Sequence, residues 1–262
     1  MTSLSTQEQE ALDRLDRVHG PGGMKAALLA MLLVPDQPGR VRAWREETSL
    51  VGEAETIRAD VEQLGGTTRL PWFELLLARL GGTPLPDRQE LLRSARRVLT
   101  AAHPGLPLDR LMWLAMRRHF GENPFGMVHA PAEADIAQLP ASDMQHVAHY
   151  TAHLARMVPS DDAEAGQRWY TAVMGRWLAP AAVPPWHRPD VDDLVRALTG
   201  LQALSWMQRP QLVRAWVGEA MPGGQPGPLP QTAADALRLS CLLMDSPIPP
   251  DLARQYVEIN PA

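Results

Sequence analysis

Apolar positions recur at three- and four-residue spacing through most of the chain, and alternation at a period of two is absent, so the pattern predicts helices and no β-hairpin. Ser5-Thr6-Gln7-Glu8 reads as a capping box, followed by Ala11, Leu12, Leu15 and Val18 on one helical face. His19-Gly20-Pro21-Gly22-Gly23 ends that segment. Met24 to Val34 is apolar on every side and reads as a central buried helix stopped by Pro35. Further helices are predicted near Arg40–Thr48, Glu53–Leu64, Pro71–Leu80, Asp87–Ala101 and Pro107–Phe120. The stretch Gly121–Pro140, with Asn123-Pro124, Gly126, Pro131 and Pro140, reads as a connector. Beyond it, Ser142-Asp143-Met144-Gln145 repeats the capping-box pattern before a helix to about Val158. Helices then follow over Ala163–Leu178, Val191–Leu204, Pro210–Met221 and Gln231–Met244.

This pattern predicts an all-α protein of about ten helices in two packed bundles, residues 1–122 and 141–262, joined by a Gly/Pro-rich connector at 123–140. A faint internal repeat points the same way. Leu77 and Leu80 align with Leu201 and Leu204, Leu91-Leu92-Arg93 with Leu212-Val213-Arg214, and Leu106-Pro107 and Leu114 with Leu229-Pro230 and Leu237. Duplication and coincidence between amphipathic helices both account for these matches.

Composition narrows the class. With 262 residues, 45% of them hydrophobic, the chain can bury a substantial core. A net charge of −5 offers no global field for a polyanion, which counts against nucleic acid as the main partner. Lys25 stands alone beside 24 arginines, a bias read as compositional. The single Cys241 rules out an internal disulfide framework or a multi-cysteine metal site, and its apolar neighbours Leu239, Leu242 and Leu243 would keep a thiol protonated. Ala26 to Val34, the longest apolar run, is far short of the roughly 18–20 residues of a membrane span, and Met1–Val18 lacks the apolar core of a secretory signal. The expectation is a soluble cytoplasmic protein without membrane insertion.

Three groups of side chains invite a chemical reading. His146, His149 and His153 lie within about 60° of one another around a helix, but His146 and His153 are about 10.5 Å apart along its axis, too far for both to reach one zinc ion. At most two of them could share a metal. Val147, Thr151, Leu154 and Val158 point almost oppositely, so the stripe is expected on an exposed face, as an ordinary polar surface, a partner or pH-responsive surface, or part of a metal site. Arg88, Arg93, Arg96 and Arg97, with Arg117-Arg118-His119 ending the next helix, read as a solvated face with cations at a helix C-terminus, or as a contact for an acidic partner or phosphate. Trp186, in Val183-Pro184-Pro185-Trp186-His187-Arg188-Pro189, reads as an interface anchor or as a plug for its own core. The chain has no Gly-x-Ser-x-Gly elbow, Gly-x-Gly-x-x-Gly loop or Walker-type loop, and no cofactor is expected.

Arg69-Leu70-Pro71-Trp72-Phe73-Glu74-Leu75-Leu76-Leu77-Ala78-Arg79-Leu80, and Ala234-Asp235-Ala236-Leu237-Arg238-Leu239 leading into Met244-Asp245-Ser246-Pro247-Ile248-Pro249-Pro250, resemble the helical region that follows the protease domain in some bacterial membrane-bound M48-type zinc metalloproteases. That region is similar to the tellurite-resistance TerB helical fold. The likeness runs in order from about Met24 to Leu252. The His-Glu-x-x-His string of the protease part is missing here, and the Gly-containing loops, His103-Pro104-Gly105 and Pro222-Gly223-Gly224-Gln225, carry acids only downstream, at Asp109 and Asp235. The resemblance therefore implies a free-standing, non-catalytic helical module. The leading expectation is a regulatory or interaction module that docks a protein partner through a helical surface; fused relatives suggest a membrane protease or envelope-associated complex. The alternative is a divalent-metal-binding, stress-related protein that uses the histidine stripe.

Overall fold

The computed structural model describes residues 4–101, 105–121, 135–221 and 227–259, and among these every regular element is helical. The elements are α1 (Thr6–Asp16), α2 (Pro21–Ala30), α3 (Pro38–Glu47), α4 (Ala54–Gln63), α5 (Gly66–Gly81), α6 (Leu85–Thr100), α7 (Pro107–Phe120), α8 (Ala141–Leu154), α9 (Ala163–Met174), α10 (Val191–Ala203), α11 (Gln208–Ala220), α12 (Gln231–Leu243) and α13 (Pro250–Ala253). Single 3₁₀ turns occur at Ile136–Gln138 and Pro180–Ala182. No helix among the described residues is long and apolar enough to cross a membrane.

Packing divides the chain into two units, Met1–Pro124 with Arg254–Ala262, and Phe125–Ala253. The expected division differs at the C-terminus, because the last residues cluster with the first unit. Pro71, inside α5, has no N–H to give to the carbonyl of Thr67 four residues earlier. That carbonyl instead accepts the backbone N–H of Val257 at 3.0 Å. A break in one helix's ladder thus holds the chain's end. Helix α5 also starts five residues before the predicted Pro71.

In the first unit α2 lies at the centre, packed on α3, α4, α5 and α6, with Ala26 to Ala30 buried. Its predicted extension to Val34 is not helical. After Ala30 the chain unwinds into single turns whose carbonyls are taken by arginines: Arg69 donates to Ala30, Met31 and Leu33, and Arg40 to Leu32. The guanidinium fork suits this multiple capture. At the N-terminus, Ser5 caps α1 as predicted, its hydroxyl accepting the Glu8 N–H at 3.1 Å.

In the second unit α8 takes the central place, packed on α9 and α10, while α11 packs on α9, α12 and the Ile136–Gln138 turn. The second capping box is not used as one. Pro140 occupies the N-cap position of α8, which leaves Ser142 inside the first turn. Most of the connector, residues 122–134, lies outside the described residues, as do His103-Pro104 and 222–226; the part that is described carries the turn at Ile136, whose side chain is buried. Helix α12 ends in a left-handed cap: Asp245 has φ 49°, and the Ser246 N–H reaches back to the carbonyl of Cys241 at 3.0 Å. This turn begins the Asp-Ser-Pro-Ile-Pro-Pro segment.

The helices matched by the internal repeat, α5 with α10, α6 with α11 and α7 with α12, keep similar neighbours. The α2·α5, α3·α6, α6·α7 and α2·α3 packings of the first unit have counterparts in α8·α10, α9·α11, α11·α12 and α8·α9 of the second.

Candidate functional site

The histidine stripe does not face outward. Helix α8 is packed around most of its circumference, with Val147, Thr151 and Leu154 buried as expected, and His153, also on the stripe, entirely buried. His146 is half-buried against α10, and Gly200 is what lets the two helices approach: a Cβ there would sit 2.3 Å from Cδ2 of the imidazole. The exposed-face expectation assumed that polar residues mark the solvent side. A central helix with neighbours on several flanks keeps only a narrow exposed edge, here Ser142 and Gln145, and its histidines are partly or wholly covered.

His149 lies at the edge of this contact, under a strap formed by Val183–Asp190. Its ring meets that of His187 edge to face, at 4.9 Å between centroids and an interplanar angle of 86°. Gln145 Nε2 is 2.7 Å from His149 Nε2; with the amide donating, the imidazole proton sits on Nδ1. Burial holds the His149 pKa below its ordinary value, His187 adds to the depression, and His146 and Arg196 deepen it against the opposing pull of Asp193. The strap contains Pro184, Pro185 and Pro189, so its backbone has few donors, and side chains fasten it. The Tyr170 hydroxyl donates to the Pro184 carbonyl at 2.9 Å, and the Trp186 indole N–H to the Ala152 carbonyl of α8 at 3.3 Å. Burial raises the Tyr170 hydroxyl to about 12, so it remains a donor.

Among the described residues no group of three or more His, Cys, Asp or Glu side chains is arranged to hold a metal ion. The three histidines of the stripe have three different settings: His153 is in the core, His146 packs on α10, and His149 faces the strap.

The arginines differ in exposure and in the ion pairs they make. Arg97 binds Glu47 of α3, with Nη2 2.8 Å from Oε2, and also Glu90; Arg93 binds Glu90 at 2.8 Å. Arg97 thereby ties α6 to α3. Arg96 and Arg117 are exposed, and Arg118 is half-buried at the end of α7. Trp186, half-buried with its N–H bonded to α8, serves its own unit. The tryptophan that does stand in solvent is Trp206, 76% exposed beside Met207 at 44%, in the turn between α10 and α11. Sequence reasoning passed over it, although its place between two predicted helices was a usable signal. In the first unit a cleft of about 610 Å³ opens between α1, α4 and the α1–α2 turn, and in its lining Arg14 and Asp60 pair at 2.8 Å. No family model, curated protein or solved structure matches the chain.

Proposed function

We propose that this protein is a non-enzymatic interaction module of the cytoplasm, which docks a protein partner through its helical surface. The exposed Trp206–Met207 pair carries this reading. A large indole left in water on a chain that buries Trp44, Trp72 and Trp216 is the kind of residue that anchors an interface, where a few aromatic side chains supply most of the binding energy. In the first unit, Arg96 and Arg117 are exposed cations that suit contact with an acidic partner. The TerB-like resemblance belongs to the same proposal and extends it to a partner at the envelope, such as a membrane protease complex.

The test is site-specific photocrosslinking in living cells. A photoreactive phenylalanine analogue at position 206 is expected to give discrete crosslinked products that the same group at exposed Gln167 on α9 does not. Equal labelling from both positions, or turnover of a small substrate by the purified chain, would overturn the proposal.

A further inference from the structure

We propose that the proline-rich strap Val183–Asp190 is released from α8 by uptake of a proton at His149, giving the second unit an acid-operated opening. The inference is independent of the docking proposal. Its basis is geometric. The strap meets α8 through the ring pair of His149 with His187 and the hydrogen bond from Trp186 to Ala152. Tyr170 holds its N-terminal end through Pro184. With prolines at three of its eight positions the strap offers few backbone N–H donors, and it stays anchored at its C-terminal end, where Pro189 is buried and Asp190 caps α10, so the part that lifts is the His187 and Trp186 crossing.

A proton on His149 changes the energy of this crossing. The charged and titratable groups that shift the ring most are His187 from the strap, Asp193 and Arg196 from α10, and His146 from α8 itself; the strap also carries exposed Arg188 and Asp190, and on α9, also packed on α8, exposed Glu164 and Arg168 lie 3.6 Å from each other. Of the groups that shift the ring most only Asp193 is anionic, and it is already bonded to Arg196 at 2.6 Å. A cationic His149 also obliges the Gln145 amide to turn its Oε1 toward Nε2, because both ring nitrogens would then be donors. Moving the strap aside would hydrate the new charge and separate it from His187. The closed state therefore binds the proton more weakly than the open one, and acid shifts the balance toward opening.

The full chain labelled with 5-fluorotryptophan tests this by fluorine NMR, with the Trp186 signal assigned from Trp186→Phe. Between about pH 7.5 and about pH 5, a range that spans ordinary histidine titration, the Trp186 signal is expected to gain the solvent-isotope shift of an exposed indole. Its midpoint should lie below the ordinary histidine value of 6.5, while the signals of buried Trp44, Trp72 and Trp216 stay in place. His149→Gln, which cannot take up a proton, should hold the Trp186 signal in its closed position throughout. A flat wild-type titration, or the same movement in His149→Gln, overturns the proposal. Should that variant fail to fold, as the Trp216 signal would reveal, the wild-type His149 ring-proton titration decides: a midpoint shared with Trp186 supports release by this residue, and separate midpoints overturn it.

Discussion

The two units solve the same packing problem with different chemistry. In the first, the bonds that fix one helix to another are largely ionic: Arg14 with Asp60 joins α1 to α4, Arg79 with Asp16 joins α5 to α1, Arg97 with Glu47 joins α6 to α3, and buried Arg40 with Asp109 joins α3 to α7. In the second, aromatic side chains dominate. Trp216 donates to the Thr151 hydroxyl and stacks on Tyr150, Trp169 donates to the Trp216 carbonyl, and Tyr150 bonds Ser240. Each unit keeps a trace of the other's method, as in Trp44 bonded to Ala26 and the Arg176–Glu219 pair. Aromatic groups add large apolar area to each bond. Ion pairs add direction, and a sensitivity to pH that the tryptophan and tyrosine bonds lack.

The largest expected effect falls on the first unit. Asp109→Ala leaves Arg40 buried without its partner and removes the acceptor for the Leu106 N–H, which should cost about 3–5 kcal/mol in urea unfolding. A loss below about 1 kcal/mol, the value of a surface pair, would break the contrast drawn above. In the second unit, Trp216→Phe keeps most of the ring but strands the Thr151 hydroxyl, with an expected cost of about 1–3 kcal/mol and no dependence on acid pH. Val257→Pro deletes the donor that satisfies Thr67 and should cost about 1 kcal/mol, together with faster amide exchange at the C-terminal end.

The smallest effect sharpens the comparison most. Arg97 holds the Glu47 carboxyl down to about 2 from 4.5, with Ser94 and Lys25 assisting and burial opposing. A depressed carboxylate contributes stability that is complete above its unfolded pKa and is lost as pH falls through the folded one. Because Arg97 is half exposed, solvent screening reduces this contribution to about 1 kcal/mol. Glu47→Gln should accordingly weaken the first unit at neutral pH and flatten its stability between about pH 4.5 and 2. An unchanged acid slope would show that the pair has no net value.

Much of the architecture was legible in the chain because helix signals are local. Apolar spacing located the long helices, Ser5 marked the start of α1, and the Leu-Pro and Leu-Leu-Arg matches paired helices that do hold corresponding places, whereas the expected break over His19–Gly23 is shorter, because α2 begins at Pro21, a first-turn residue that needs no N–H partner. Boundaries differ where distant groups take up the free carbonyls. Past the end of α2 these are taken by Arg40 and Arg69, and the Thr67 carbonyl that Pro71 leaves open in α5 is taken by Val257, far along the chain.

The candidate site was only half legible. That three histidines share one stripe of α8 follows from helical geometry alone. Which way the stripe faces does not, since polarity predicts exposure only for a helix with a free side. Tertiary packing supplied the second ring, His187, by laying a proline-rich strap across α8, and it left Trp206 in water while fastening Trp186. Periodicity along a chain therefore determines which residues share a face; what that face meets is decided by contacts between residues remote in sequence, which no local pattern encodes.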